Sequence, residues 1–161
     1  MGIQATRLNA WLVIGALKEK CYPKPFTSLE EAIIGASTFR FTVGGGTHPG
    51  HTTDAVGALV AEIWGADVFL NLTAVDGAYT RDPNLFKDAE RIEEMSTGDL
   101  RKLVSGTSRG AGSHSVLDPL AAEIVHRAAI RTCILDGRDI RNLLSCIRGD
   151  DFHGTDVIPG R

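Results

Sequence analysis

Short apolar runs that stop at turn signals, alternating with stretches of helical periodicity, constrain this chain more than any other feature. Val68 to Thr73, VFLNLT, is nearly all apolar, too short for a helix, and followed by the Asp76-Gly77 turn. Such a run reads as a strand of a parallel sheet covered on both faces. Phe39 to Val43 alternates and is rich in strand formers, Thr132 to Leu135 reads as a third strand, and Asp156 to Ile158 as a final short one. Between them the spacing predicts helices. Residues 3–20 carry Leu8, Trp11, Leu12, Ile14 and Leu17 on one face and close with Lys18 and Lys20. Ser28-Leu29-Glu30-Glu31 is a capping box opening a helix through Ala36. Ala55, Val56, Leu59, Val60, Ile63 and Trp64 form one face of a helix that Gly65 stops. Further helices start at Ser96-Thr97-Gly98-Asp99, at Asp118-Pro119 and at Asp139, and Ser105 to Ser115 reads as a Gly/Ser loop. Strands alternating with helices predict α/β layers around a mainly parallel sheet, in a single domain spanning 1–161.

Composition narrows the partners. With 161 residues, 43% hydrophobic and a net charge of -3, the chain has material for a core and lacks the signature of disorder. That charge also argues against an electrostatic nucleic-acid binder. The longest apolar stretch, Trp11 to Leu17, falls short of the roughly 20 residues that span a bilayer, so no membrane is expected. Cys21, Cys133 and Cys146 have neither zinc nor disulfide-framework spacing, which suits a reducing, cytoplasmic compartment.

Parallel strands direct attention to their carboxyl ends, where open α/β sheets bind ligands. Gly44 to Asp54, GGGTHPGHTTD, lies between a strand and a helix, an arrangement suited to phosphate. Gly45, Gly50 and Thr52 nearly match the phosphate-loop pattern, but His51 stands where lysine is required. A Gly-rich turn needed only for tight packing is the competing reading. His48 and His51 lack an evident third ligand nearby, so hydrogen bonding to phosphate suits them better than metal, and no metal ligand is assigned. Asp54, in the first helical turn, either caps the helix or orients cations around phosphates. In the segment Val75 to Pro83, VDGAYTRDP, Tyr79 offers a flat face to a base and Asp82 a carboxylate to a ribose or nucleotide. Asn71-Leu72-Thr73 matches a glycosylation sequon by chance, inside an expected buried strand.

Together these segments resemble the archaeal type of uridylate kinase, within the amino acid kinase superfamily. The blocks that carry the resemblance are GIQATRLNA at 2–10, GGTHPGHTTDAVGALVAE at 45–62, VDGAYTRDP at 75–83, GAGSHSVLDPLAAEIV at 110–125 and HGTDVI at 153–158. The resemblance implies a three-layer α/β/α sandwich with a mainly parallel sheet, N-terminally incomplete: the family's first strand with its Gly-Gly-Ser turn, its helix and a second Gly-rich turn would precede this pattern, which would put Met1 at an internal position of it. It further implies transfer of the ATP γ-phosphate to UMP in pyrimidine nucleotide biosynthesis, with Mg²⁺, in a homo-oligomer that is commonly a hexamer. Gly45, Gly46, Thr47, His48, Pro49, Gly50, His51, Thr52 and Thr53 would bind UMP. Thr73, Asp76, Tyr79 and Asp82 would bind ATP, and Asp54 and Asp118 would be catalytic. Ala74 stands where the family usually has a polar residue.

A charge at one helix N-terminus gains about 0.3–1 kcal/mol, whereas enzymatic acceleration needs about 8 kcal/mol or more. One anion loop is therefore insufficient, and the expected chemistry is in-line attack of UMP on the γ-phosphorus with both phosphates held. Two other readings compete: a kinase of the same superfamily acting on another small acid or phosphate, and a non-catalytic nucleotide- or oxyanion-binding module. The absent front loops favour the latter for the chain as it stands.

Overall fold

Side chains close several helix ends from within the local sequence. Ser28 Oγ accepts from Glu31 N at 3.3 Å, and Glu31 reaches back to Thr27 N at 2.7 Å, opening α2, Leu29–Thr38. Thr52 Oγ1 accepts from Ala55 N at 3.0 Å to open α3, Thr53–Trp64, and Gly65 ends it in the left-handed region. Asp118 accepts from Leu120 N and Ala121 N at the start of α5, Pro119–Arg127, and Asp139 does the same for α6, Ile140–Arg148. The remaining helices are α1, Gly2–Leu17, which continues into a 3₁₀ turn at Lys18–Lys20, and α4, Thr97–Thr107. The computed structural model describes residues 2–83, 85–107 and 116–160 and divides into two compact units, Met1–Gly65 and Ala66–Arg161.

In the first unit, Phe26, Ala32 and Val56 form a small core with Val60 against it. The strand expected at Phe39 to Val43 is present only as isolated parallel bridges, Cys21 to Phe41 and Phe26 to Gly44. Its hydrogen bonds run from Phe41 N to Lys20 O, Tyr22 N to Phe41 O and Phe26 N to Val43 O. Pro23 and Pro25 lie between the two bonded positions and have no N–H to donate, so the ladder slips there. The face expected on α1 is also displaced. Ala10 and Ile14 are buried, whereas Leu8, Trp11 and Leu12 are 64%, 50% and 72% exposed. The inward stripe instead follows Ile3, Thr6, Arg7, Ala10, Ile14 and Leu17, and it is spent largely on a neighbouring glycine backbone described below.

The second unit is built on a sheet of order β1-β3-β4-β2, with β1 Val68–Thr73, β2 Glu94–Ser96, β3 Arg131–Asp136 and β4 Thr155–Ile158. β1 pairs parallel with β3 and β2 parallel with β4, while β3 and β4 run antiparallel. The central β3 has Cys133 and Leu135 against Leu70, Leu143, Cys146 and Phe152 on one face, and Thr132 and Ile134 fully buried on the other. β1, expected to be covered on both faces, lies at an edge of this sheet with Leu72 46% exposed. β2 has no counterpart in the sequence reading, because three residues with one apolar side chain carry no periodicity. α4 extends to Thr107, past the expected loop start at Ser105; the remainder of that loop, including GAGSHS at 110–115, lies outside the described residues.

Candidate functional site

The glycine-rich segment of the first unit has two parts with different surroundings. Gly45 and Gly46 are buried against α1: a Cβ on Gly45 would lie 2.6 Å from Thr6 Oγ1 and 2.9 Å from Arg7 N. Thr6 Oγ1 accepts from Gly46 N at 3.0 Å, and the Arg7 guanidinium donates to Gly46 O at 3.1 Å and to Thr47 O at 3.4 Å. The glycines thus serve close packing, and α1 pins the loop at its root. From His48 to Thr53 the chain is exposed. His51 N donates to His48 O at 3.3 Å, Gly50 adopts φ +90° with open space around it, and the two imidazoles sit edge to face at 6.1 Å. Thr52 then caps α3, and half-buried Asp54 occupies its first turn. An exposed, anchored loop leading into a capped helix N-terminus is suited to an anion.

In the second unit the candidate residues follow the carboxyl end of β1. Thr73 Oγ1 accepts from Val75 N at 2.8 Å and donates to Val75 O at 3.0 Å, closing the strand end on itself. Ala74 O accepts from Arg138 Nη2 at 2.9 Å, and the same guanidinium holds the Asp136 carboxyl down at about 2. Gly77, at φ +154°, is confined further by Thr155 Oγ1, 2.8 Å from where a Cβ would sit. Ala78 N donates to Thr155 Oγ1 at 2.8 Å, and that hydroxyl donates to Ile92 O at 2.5 Å. Arg91 donates to Gly154 O, so the turn at 76–79 and the approach to β4 are stitched together.

Within this turn, Asp76 Oδ1 accepts from the Tyr79 hydroxyl at 2.8 Å, and Asp76 Oδ2 lies 2.8 Å from His153 Nε2. Burial works to raise the Asp76 carboxyl, but these two hydrogen bonds, with its own backbone N–H and the nearby imidazole, together outweigh it and hold the group below the ordinary carboxylate range. The Tyr79 phenol moves up, first because its hydrogen bond goes to a carboxylate and then because of burial. Half-buried Asp82 offers its carbonyl to Leu85 N and Phe86 N, and Arg81 stacks over the Phe86 ring at 5.3 Å. Asp118 is half-buried and its Oδ1 caps α5. Loop residues 47–53 with Asp54 therefore belong to the first unit, and Thr73, Asp76, Tyr79, Asp82 and Asp118 to the second.

Sequence reasoning missed the residues that hold these segments. Thr6 and Arg7 lie in GIQATRLNA and His153 and Thr155 in HGTDVI, but no local pattern in those blocks signals their roles, because their partners lie far away in the chain. Cys21, Cys133 and Cys146 are free and buried, and burial, followed by the neighbouring Cys146 thiol, pushes Cys133 up to about 12. Cys133 is no nucleophile near neutral pH. Among the described residues, no group of three or more His, Cys, Asp or Glu side chains could hold a metal ion by itself, and no helix is long and apolar enough to cross a membrane.

The amino acid kinase family model matches residues 1–136. The chain belongs to that family. Among similar members, the uridylate kinase of Pyrococcus abyssi is 46% identical over 159 residues, 99% of this chain and 70% of the relative. The uridylate kinase of Methanospirillum hungatei is 45% identical over 96% of this chain and 66% of its own length. A crystal structure of the uridylate kinase from Archaeoglobus fulgidus superposes with a TM-score of 0.86 at 40% identity, covering 97% of this chain and 69% of that one. The UMP kinase of Bacillus anthracis, at 17% identity and a TM-score of 0.76, shares the fold. This amino acid kinase is thus an α/β protein with a mixed sheet, and it spans about 70% of the P. abyssi relative's length.

Proposed function

We propose that this chain acts in transferring the γ-phosphate of ATP to UMP, giving UDP and ADP. The observation that carries the reading is the 46% identity to a uridylate kinase over 99% of the chain. The geometry agrees with it. The loop Thr47–Thr53, pinned by Thr6 and Arg7 at the N-terminus of α3, takes the acceptor phosphate. The Thr73–Asp82 segment, at the end of β1, takes the donor nucleotide, with the Tyr79 ring as the face for it.

Mg²⁺ would enter with the ATP phosphates. Such an ion keeps several waters and needs only one or two protein carboxylates; Asp54, in the first turn of α3, would be one of them. When bound, the ion neutralises charge on the transferring phosphates. The chain's own contribution is positional: backbone N–H groups and hydroxyls of the 47–53 loop fix the acceptor oxygen for in-line attack, and no residue forms a covalent intermediate. The exposed Leu8, Trp11 and Leu12 of α1 support assembly into a homo-oligomer.

A coupled ADP-release assay with UMP, CMP and isopentenyl phosphate as acceptors tests the reading. UMP-dependent turnover above the other two is expected; none above blank overturns it in favour of a non-catalytic binding module. Asp54→Asn should lower kcat far more than it weakens UMP, and an unchanged kcat removes Asp54 from catalysis.

A further inference from the structure

The hydrogen-bonded chain from His153 through Asp76 to Tyr79 joins residues 77 positions apart, and the proposed reaction leaves His153 without a role. Its backbone is held on both sides by one side chain. Asn142 Nδ2 donates to His153 O at 2.6 Å, and His153 N donates to Asn142 Oδ1 at 2.7 Å. The residue after it is confined as well: a Cβ on Gly154 would fall 2.6 Å from Ile134 O. The imidazole therefore leaves a fixed backbone, on a side chain that is 60% exposed, and meets Asp76 at hydrogen-bond distance.

An ionised carboxylate only accepts, so Nε2 must carry the proton of this contact. Asp76 in turn has one oxygen on His153 and the other on the Tyr79 hydroxyl. An exposed histidine serves packing poorly, and a surface ion pair stabilises little. What the chain does fix is the direction in which the half-buried Tyr79 ring stands.

We propose that His153 is a positioning residue for the donor nucleotide, acting through Asp76 to orient the Tyr79 ring on which the nucleotide rests. The inference depends on the reading that the Thr73–Asp82 segment holds ATP. In this arrangement His153 acts on the nucleotide through Asp76 and the Tyr79 ring that Asp76 holds. Loss of the imidazole should leave UMP binding at the 47–53 loop unchanged.

Calorimetric titration of the 161-residue chain with ATP and, separately, UMP tests this. His153→Ala should weaken ATP about 5- to 20-fold and change the UMP Kd less than about twofold, as expected for loss of a charge-assisted hydrogen bond. Tyr79→Phe should weaken ATP to a similar extent, and adding His153→Ala to it should cost less than about twofold more, because the two act as one unit. His153→Gln, whose amide can still donate, should restore the ATP Kd to within about twofold. Its near-isostere His153→Glu should not, so a folding defect common to the two cannot imitate the result. An unchanged ATP Kd in His153→Ala, equal weakening of ATP and UMP, or additivity with Tyr79→Phe each overturns the inference while leaving the donor site standing. If ATP does not bind the wild type, or binds Tyr79→Ala as tightly as the wild type, the donor-site reading itself fails, and the inference with it.

Discussion

Replacing Thr155 with valine removes one hydroxyl and almost no volume, which makes it a sharp probe of the second unit. Thr155 is fully buried, and its Oγ1 accepts from Ala78 N at 2.8 Å while donating to Ile92 O at 2.5 Å. In Thr155→Val the Ala78 N–H, on a fully buried residue, has no partner in reach of the new methyl; an orphaned buried donor costs about 1–3 kcal/mol. Ile92 O lies in a half-buried residue and can take water instead, so losing that bond costs about 0.5–1.5 kcal/mol. The sum is about 1.5–4.5 kcal/mol, a large fraction of an ordinary domain's stability. Thr155→Ser keeps the hydroxyl and deletes a methyl, a change of about 1 kcal/mol. Urea unfolding followed by circular dichroism should show a lower midpoint at constant m for valine, well below that of serine. A valine variant as stable as the serine variant, or more so, refutes the reasoning.

Other expectations follow from the first unit. Arg7→Ala removes both guanidinium bonds to the root of the loop and should weaken UMP several-fold in calorimetry while leaving ATP unchanged. Gly45→Ala places a Cβ 2.9 Å from the backbone N of Arg7 and should destabilise by about 1–3 kcal/mol in denaturant titration, because the helix backbone has to move. Thr52→Ala removes the cap of α3 and should cost about 1 kcal/mol, with the same measurement as readout. The Lys24 ammonium, and after it the Thr27 N–H, hold Glu31 at about 2, below the ordinary 4.5. Its stabilising contribution is complete above the ordinary value and fades as pH falls from about 4.5 toward about 2; Glu31→Gln should flatten that part of the stability-pH curve.

The sequence by itself determined what is local. Caps at Ser28, Thr52, Asp118 and Asp139 and the stop at Gly65 stand where the residues place them, because each is settled within a few positions of the backbone involved, and the short apolar run Val68–Thr73 marks its strand by composition. Its motif blocks also located the kinase family. Tertiary structure decided the rest. Which stripe of α1 turns inward depends on a glycine backbone about 40 residues away, and that contact outweighs the stronger hydrophobicity of Leu8, Trp11 and Leu12. The order of the sheet, with antiparallel β4 inserted beside β3 and the short β2 at the edge, follows from pairing across the chain and leaves no mark in a three-residue strand. Asp76 could be read as part of a turn, but its partners could not: His153 reaches it only because β4 and the Asn142 clamp carry the imidazole across 77 residues of sequence. Spacing along a chain reports neighbours within a helix or a strand, and hydrogen bonds between distant segments exist only once the backbone has brought them together.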